Sequence, residues 1–102
     1  MNPVAEALDA AADYIEVHGW CQPTMQTPDG RACLYAAIRS VTGADELNCT
    51  PDADLTSARA LTAVWTHLDT GPITWQDRPG RTEFEVIDEL RLTAKALREV
   101  AS

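Results

Sequence analysis

The chain has 102 residues, a length that predicts one domain able to bury a core without a metal or disulfide. Sixteen acidic residues against eight basic ones give a formal net charge of −8, which disfavours nucleic-acid binding but not a basic protein partner. The first ten residues lack signal-peptide features, and no apolar run approaches the roughly 18 residues of a membrane span. We therefore expect a cytoplasmic protein, not bound to membrane, whose three cysteines are thiols.

Two amphipathic segments predict helices in the first half of the chain. Asn2 has N-cap chemistry, Pro3 suits the first helical position, and Gly19 suits the C-terminal end. The apolar positions of this first helix are Val4, Leu8, Ala11, Ile15 and His18. The second helix is expected from about residue 32 to residue 42, closed by Gly43. Its apolar positions are Leu34, Ala37, Ile38 and Val41.

Two further segments predict helices in the second half. The third helix is expected to follow Thr50 as N-cap and to end at Gly71. Its apolar stripe consists of Leu55, Ala58, Leu61, Trp65 and Leu68. The fourth helix begins with a capping box, in which Thr82 is followed three residues later by Glu85. Its apolar seam is the longest, which predicts the central packing element, and consists of Phe84, Ile87, Leu90, Ala94, Leu97 and Ala101.

The two longer connections carry turn signals, Asp29-Gly30 and Pro79-Gly80, rather than helical periodicity. In the second connection Ile73 and Trp75 alternate with polar neighbours, a pattern that favours a short strand. We therefore predict an all-α, compact, four-helix single domain over residues 1–102. A short two-stranded β-ribbon between residues 23–26 and 72–76 is a further element that the sequence leaves open.

Three short motifs carry a resemblance to a known family. They are Gly19-Trp20, Asp29-Gly30-Arg31-x-Cys33, and Trp75-x-Asp77-x-Pro79-Gly80-Arg81-Thr82 followed by Glu85-Val86. This combination resembles a family of small proteins from actinobacteria and their phages, catalogued only as a domain of unknown function. The resemblance implies a bacterial or phage intracellular protein and brings no activity, cofactor or catalytic residue. The chain departs from that pattern at Gln76, where the family favours asparagine.

The motif residues also have local structural roles. Gly80 permits a turn, Thr82 caps the last helix, and Trp75 is placed to cover the end of the core. Asp77 has the chemistry to pair with Arg81 or to accept hydrogen bonds from turn amides. We therefore interpret the set as a structural motif rather than a reactive site: Trp20, Gly30, Trp75, Asp77, Gly80, Arg81 and Thr82.

Cys33 is the weak candidate for a catalytic residue. A thiol at a helix N-terminus can have a lowered pKa, but a cysteine enzyme also needs a base. Only His18 and His67 are available. At helical pitch His67 points away from the predicted stripe, and His18 in the last turn of its helix suits the helix dipole. Core packing is the favoured interpretation of Cys33, and a small cysteine-dependent enzyme is the alternative.

Metal and carboxylate chemistry receive weak support. The weak candidate zinc ligands are His18, Cys21, Cys33 and Cys49. Their spacing lacks the two tight pairs usual in structural zinc sites, so a zinc-stabilised binding module is a second alternative and no cofactor is expected. Paired acids occur at Asp52/Asp54 and Asp88/Glu89. Neither pair has an apolar setting in the sequence that would raise a pKa, so carboxylate catalysis is not expected.

The first helix has a uniformly acidic row opposite its apolar stripe. The row consists of Glu6, Asp9, Asp13 and Glu16, and residues 1–30 contain no lysine or arginine. It is either a solvated face of an acidic protein or a docking surface for a basic one. The function that we predict is a small, non-enzymatic interaction protein that binds a basic protein partner through this row.

Overall fold

The computed structural model of this protein describes residues 2–22, 27–44 and 49–101, which contain five helices. These are α1 (Pro3–His18), α2 (Leu34–Thr42), α3 (Pro51–Leu68), α4 (Pro72–Gln76) and α5 (Glu83–Ala101). Within the described residues the β pairing consists of one isolated parallel bridge between Trp20 and Ala32. The predicted helical architecture is confirmed, but the predicted number of four helices is wrong. None of these helices is both long enough and apolar enough to cross a membrane.

The helix starts predicted from capping side chains are confirmed. Asn2 Oδ1 accepts hydrogen bonds from two amides of the first turn of α1, and Thr50 Oγ1 accepts one from the first turn of α3. At α5 the Glu85 amide donates to Thr82 Oγ1 (3.2 Å) while the Thr82 amide donates to Glu85 Oε1 (3.0 Å). This reciprocal pair is the capping box expected from the sequence.

The two ends of the connection between α1 and α2 lie close to each other. Gly19 ends α1 at φ 95°, and a Cβ atom there would lie only 2.6 Å from Arg31 Cγ. Ala32 pairs with the backbone of residues 19–21, so it is not available to α2. Cys33 caps the helix instead, and α2 therefore begins two residues later than expected.

The segment after α3 differs most from the prediction. Asp69, at φ 58°, ends α3 before Gly71 is reached. Gly71 then precedes α4, whose first residue is Pro72, a position where the missing N–H of proline costs nothing.

The predicted β-ribbon is not supported. The alternation of Ile73 and Trp75 belongs to one turn of α4, in which the Trp75 amide donates to the Gly71 carbonyl at 2.9 Å. The other half of the predicted ribbon, residues 23–26, lies outside the described residues. A period of two over four residues also fits one helical turn, which is why this prediction was wrong.

The core is centred on α1 rather than on the last helix, because α1 packs against α2, α3 and α5. Its buried residues form a broad face of mostly small side chains, which permits close approach on three sides: Ala5, Ala7, Leu8, Ala11, Ala12 and Ile15. The other helices contribute Leu34, Ala37, Ile38, Ala60, Val64, Val86, Leu90 and Ala94.

The buried face of α3 is displaced by one residue from the predicted stripe. Ser57, Ala60 and Val64 are buried, whereas Leu55 and Trp65 are 47% and 57% exposed. One residue corresponds to a rotation of about 100° around the helix axis. Small side chains at the contact let α3 approach its neighbours, so Leu55 and Trp65 of the predicted stripe lie outside the buried face. Phe84, expected in the seam of the last helix, is likewise 75% exposed.

Candidate functional site

Two residues of the structural motif, Trp20 and Asp77, contact the side chain of Gln76, which is 1% exposed. Its Oε1 atom accepts hydrogen bonds from Trp20 Nε1 (3.2 Å) and the Leu34 amide (3.0 Å). Its Nε2 atom donates to Asp77 Oδ1 at 3.0 Å. One buried amide therefore joins the segment after α1, the start of α2 and the end of α4. Gln76 is therefore a structural junction.

The part of the motif from Trp75 to Thr82 is arranged around Arg81. Its guanidinium lies over the Trp75 ring at 4.0 Å, its Nε donates to the Trp75 carbonyl at 3.1 Å, and its Nη1 pairs with Glu85 at 2.9 Å. Gly80 takes the positive φ of 89° that this turn requires. Hydrogen bonds from the Thr82 amide and hydroxyl hold the pKa of Glu85 below its usual value. The contacts of Arg81 connect the turn before α5 to Trp75 of α4 and to the first turn of α5.

Cys33 lies in the core and caps α2. It is 2% exposed, and its Sγ accepts a hydrogen bond from the Ala36 amide at 3.4 Å. Burial raises the pKa of the Cys33 thiol, since desolvation outweighs the hydrogen bonds that would favour a thiolate. The histidines have other neighbours: His18 stacks on Tyr14 at 4.3 Å, and His67 contacts Glu89. The arrangement leaves the thiol protonated at neutral pH and sealed from solvent.

The residues considered for zinc do not form a ligand cluster. Cys21 and Cys33 are buried, Cys49 is half-buried, and none of the three forms a disulfide in the described part of the chain. His18 lies exposed in the last turn of α1. Across residues 2–22, 27–44 and 49–101 no group of three or more His, Cys, Asp or Glu side chains is placed to hold a metal ion.

The acidic row of α1 borders α5 instead of standing alone. Arg91 Nη2 lies 2.7 Å from Asp13 Oδ1 and 2.9 Å from Glu16 Oε1. Arg98 Nη1 lies 2.6 Å from Asp9 Oδ2, and Arg91 Nη1 lies 3.5 Å from Asp9 Oδ1. Hydrogen bonds to Asp13 and Glu16 raise the pKa of Arg91 above its usual value. The bases that α1 lacks in its own sequence are therefore supplied by a helix more than 70 residues later.

Glu6 is the member of the row without a basic partner among the described residues. It lines a surface cavity of about 430 Å³ at the start of α1, the end of α2 and the start of α3. Asp52 lines the same cavity, and its carboxylate also has no basic partner in the described part of the chain. The two acids bring uncompensated negative charge to one concave surface.

A contact between His67 and the buried Glu89 joins α3 to α5, and the sequence pattern did not predict it. His67 Nδ1 lies 2.5 Å from Glu89 Oε2, and Thr93 Oγ1 donates to the same oxygen at 2.8 Å. Glu89 is 8% exposed, whereas the His67 side chain is 35% exposed. His67 is exposed, but because the buried face of α3 is displaced by one residue its imidazole reaches Glu89 on α5, which the predicted orientation did not anticipate. The sequence pattern predicted no apolar setting for the pair Asp88/Glu89, yet Glu89 is buried, because its side chain faces His67 of α3.

The pair stands beside a small cavity between α3 and α5. The volume is about 260 Å³, and the lining residues are Ala63, Thr66, His67, Thr93, Ala96, Leu97 and Val100. A sequence signal for this arrangement does exist. His67 continues the true buried stripe at three residues from Val64, and Glu89 and Thr93 lie four apart beside Leu90.

The fold and its polar clusters define a small, all-helical protein built around one core. A model of a protein family described as "Family of unknown function (DUF6197)" matches residues 1–96, so the chain belongs to that family. No curated protein and no solved structure matches the chain. The family description names no activity.

Proposed function

We propose that this protein is a small, non-enzymatic interaction protein that binds a basic protein partner through the acidic side of α1. The observation that carries the proposal is the pair Glu6 and Asp52, two carboxylates that have no basic partner among the described residues and line one cavity of about 430 Å³. A concave acidic surface of this size suits an arginine or lysine side chain presented by another protein. The net charge of −8 extends the attraction beyond the contact itself.

The rest of the acidic row contributes to this surface at lower strength. Asp9, Asp13 and Glu16 are held by Arg91 and Arg98, whose ion pairs are largely exposed. Exposed pairs of this kind are worth only about 0–1 kcal/mol each, so cations of a partner can compete for the same carboxylates. Glu6 is thus the member of the predicted row that is most available to a basic partner. The other three carboxylates are less available because they already pair with Arg91 and Arg98.

The state of the reactive side chains supports a role without catalysis. The Cys33 thiol is buried with a raised pKa, the opposite of what nucleophilic attack requires. The hydroxyls nearest to His67 are also engaged, since Thr66 donates to the Thr62 carbonyl and Thr93 to Glu89. Neither hydroxyl is presented to the imidazole as a nucleophile.

The proposal includes a cytoplasmic location in an actinobacterium or one of its phages. The origin is supported by the motif resemblance, and the location by three cysteines that form no disulfide among the described residues, a state that suits a reducing compartment.

The test is affinity capture from an actinobacterial lysate at about 50 mM and about 500 mM salt, with the captured protein then purified for direct binding measurements. The test variant is Glu6→Gln with Asp52→Asn. The matched control is Asp69→Asn with Asp88→Asn, which removes the same charge from two other exposed acids. We expect a basic partner that is lost at high salt and binds the test variant at least about tenfold more weakly than the control. Equal binding by the two variants, or binding insensitive to salt, would contradict the proposal.

A further inference from the structure

We propose that the cavity between α3 and α5 binds a small apolar phenol or alcohol, whose hydroxyl group donates a hydrogen bond to His67 Nε2. The site is separate from the acidic surface of α1 and requires neither that surface nor a protein partner. It combines one oriented polar atom with an apolar wall, which is the usual composition of a small-molecule site.

The orientation of His67 defines the polar end of the site. The proposal assigns the hydrogen of the 2.5 Å contact with Glu89 to Nδ1, the assignment in which Glu89 is a carboxylate that accepts. In the neutral imidazole Nε2 then bears the lone pair and acts as an acceptor. Glu89 is itself held in place by Thr93, so the imidazole has little freedom to turn. Nε2 has no hydrogen-bond partner among the described residues, and it belongs to a side chain that lines the cavity.

The remaining wall sets the apolar part of the ligand. Ala63, Ala96 and Leu97 line the cavity together with Val100, which is 87% exposed at its rim. The volume of about 260 Å³ is just below the roughly 300–1,000 Å³ typical of sites for drug-sized molecules. A single ring with a short alkyl substituent is the size class that such a cavity holds.

The charge of the surroundings selects a neutral hydroxyl over an acid. A ligand carboxylate would meet a pair that already contains the Glu89 carboxylate, on a protein of net charge −8. A metal ion would find one imidazole nitrogen, fewer than the three or four protein ligands of ordinary zinc sites. A phenol or alcohol places only a neutral donor at Nε2 and leaves its apolar body against the alanines and Leu97.

The test is a nitrogen-15 NMR titration of the full chain with 4-ethylphenol. Two comparison ligands are 4-ethylanisole, in which a methyl group replaces the hydroxyl proton, and 4-ethylbenzoate, which carries the negative charge. We expect saturable shifts at the amides of Ala63, Ala96 and Leu97 and at His67 Nε2 with the phenol. Affinity should be at least about tenfold lower for either comparison ligand, the loss expected for one hydrogen bond. Absence of saturable shifts, or equal affinity for phenol and anisole, would overturn the proposal.

A pair of variants tests the cavity without disturbing the histidine. Ala96→Leu fills the space while His67 and Glu89 remain, whereas Ala58→Leu adds the same volume on the exposed side of α3. We expect Ala96→Leu to lose at least about tenfold in affinity for 4-ethylphenol, and Ala58→Leu to keep it. Unchanged binding by Ala96→Leu would overturn the assignment. Shifts of the same amides on raising the protein concentration alone would assign the cavity to a second copy of the chain and overturn it as well.

Discussion

The two charged sides of α5 are built in different ways. Towards α1, Arg91 makes ion pairs with carboxylates that are half or more exposed, such as those of Asp13 and Glu16. Towards α3, the Glu89 carboxylate is buried, accepts a hydrogen bond from Thr93 Oγ1 and contacts His67 Nδ1. The first arrangement can be exchanged with solvent or a partner at low cost, whereas loss of His67 from the second would leave the buried Glu89 carboxylate without that partner.

The largest expected effect is that of His67→Ala. It leaves the Glu89 carboxylate buried with only Thr93 as a donor, so we expect the free energy of unfolding to fall by about 3 kcal/mol. Urea unfolding measures the loss, and His18→Ala, at an exposed histidine in α1, is the matched control. A loss no greater than that of the control would show that the pair on the α3 side is no different from an exposed one.

The next effect, that of Gln76→Leu, extends the comparison to a buried group without charge. The variant leaves Trp20 Nε1 and the Leu34 amide without their acceptor, and we expect a loss of about 2 kcal/mol in the free energy of unfolding. Gln22→Leu is the control, because Gln22 donates to a carbonyl from a half-buried position. Equal losses for the two variants would show that burial of the amide does not set the cost.

A smaller effect is expected on the α1 side. Arg91→Ala should lower the free energy of unfolding by less than about 1 kcal/mol, and the loss should shrink with added salt. Lys95→Ala, which removes an exposed charge without an ion pair among the described residues, is the control in the same urea experiment. A loss of 3 kcal/mol or so, unaffected by salt, would contradict the exposed character of this side.

The smallest expected effect on stability comes from the ionisation of the Cys33 thiol. Its raised pKa also predicts low reactivity in the folded protein. Its raised folded-state pKa means that stability is fully present below the ordinary thiol pKa and is lost as pH rises through the folded value. At pH 8 we therefore expect iodoacetamide to modify the half-buried Cys49 first and Cys33 only in urea. Mass spectrometry of the labelled peptides measures both rates. Rapid native-state labelling of Cys33 would favour the cysteine-enzyme alternative.

The helix starts could be predicted because their signals are local. Asn2, Thr50 and the pair Thr82 and Glu85 act within three residues of their own positions. The rotation of α3 could not be predicted as readily. Its two candidate stripes differ by one residue, and the larger side chains favoured the wrong one, while close packing against α1 selected Ala60 and Ser57. In α3, close packing between helices decides which face is buried, and the hydrophobicity of the larger side chains does not.

The candidate sites depended on contacts between residues that are distant in the chain. The ion pairs of α1 join residues 75 or more positions apart, and the contact of His67 with Glu89 spans 22 positions. Periodicity reports which face a residue occupies on its own helix and nothing about the charge that faces it. The acidity of α1 was evident from the sequence, but its compensation by Arg91 and Arg98 was not.

A comparison of two double-mutant cycles tests most directly whether burial separates the two sides of α5. One cycle combines His67→Ala with Glu89→Ala, and the other combines Arg91→Ala with Asp13→Ala, each followed by urea unfolding. We predict a coupling free energy above about 1.5 kcal/mol for the first pair and below about 0.5 kcal/mol for the second. Couplings of equal size would contradict the account.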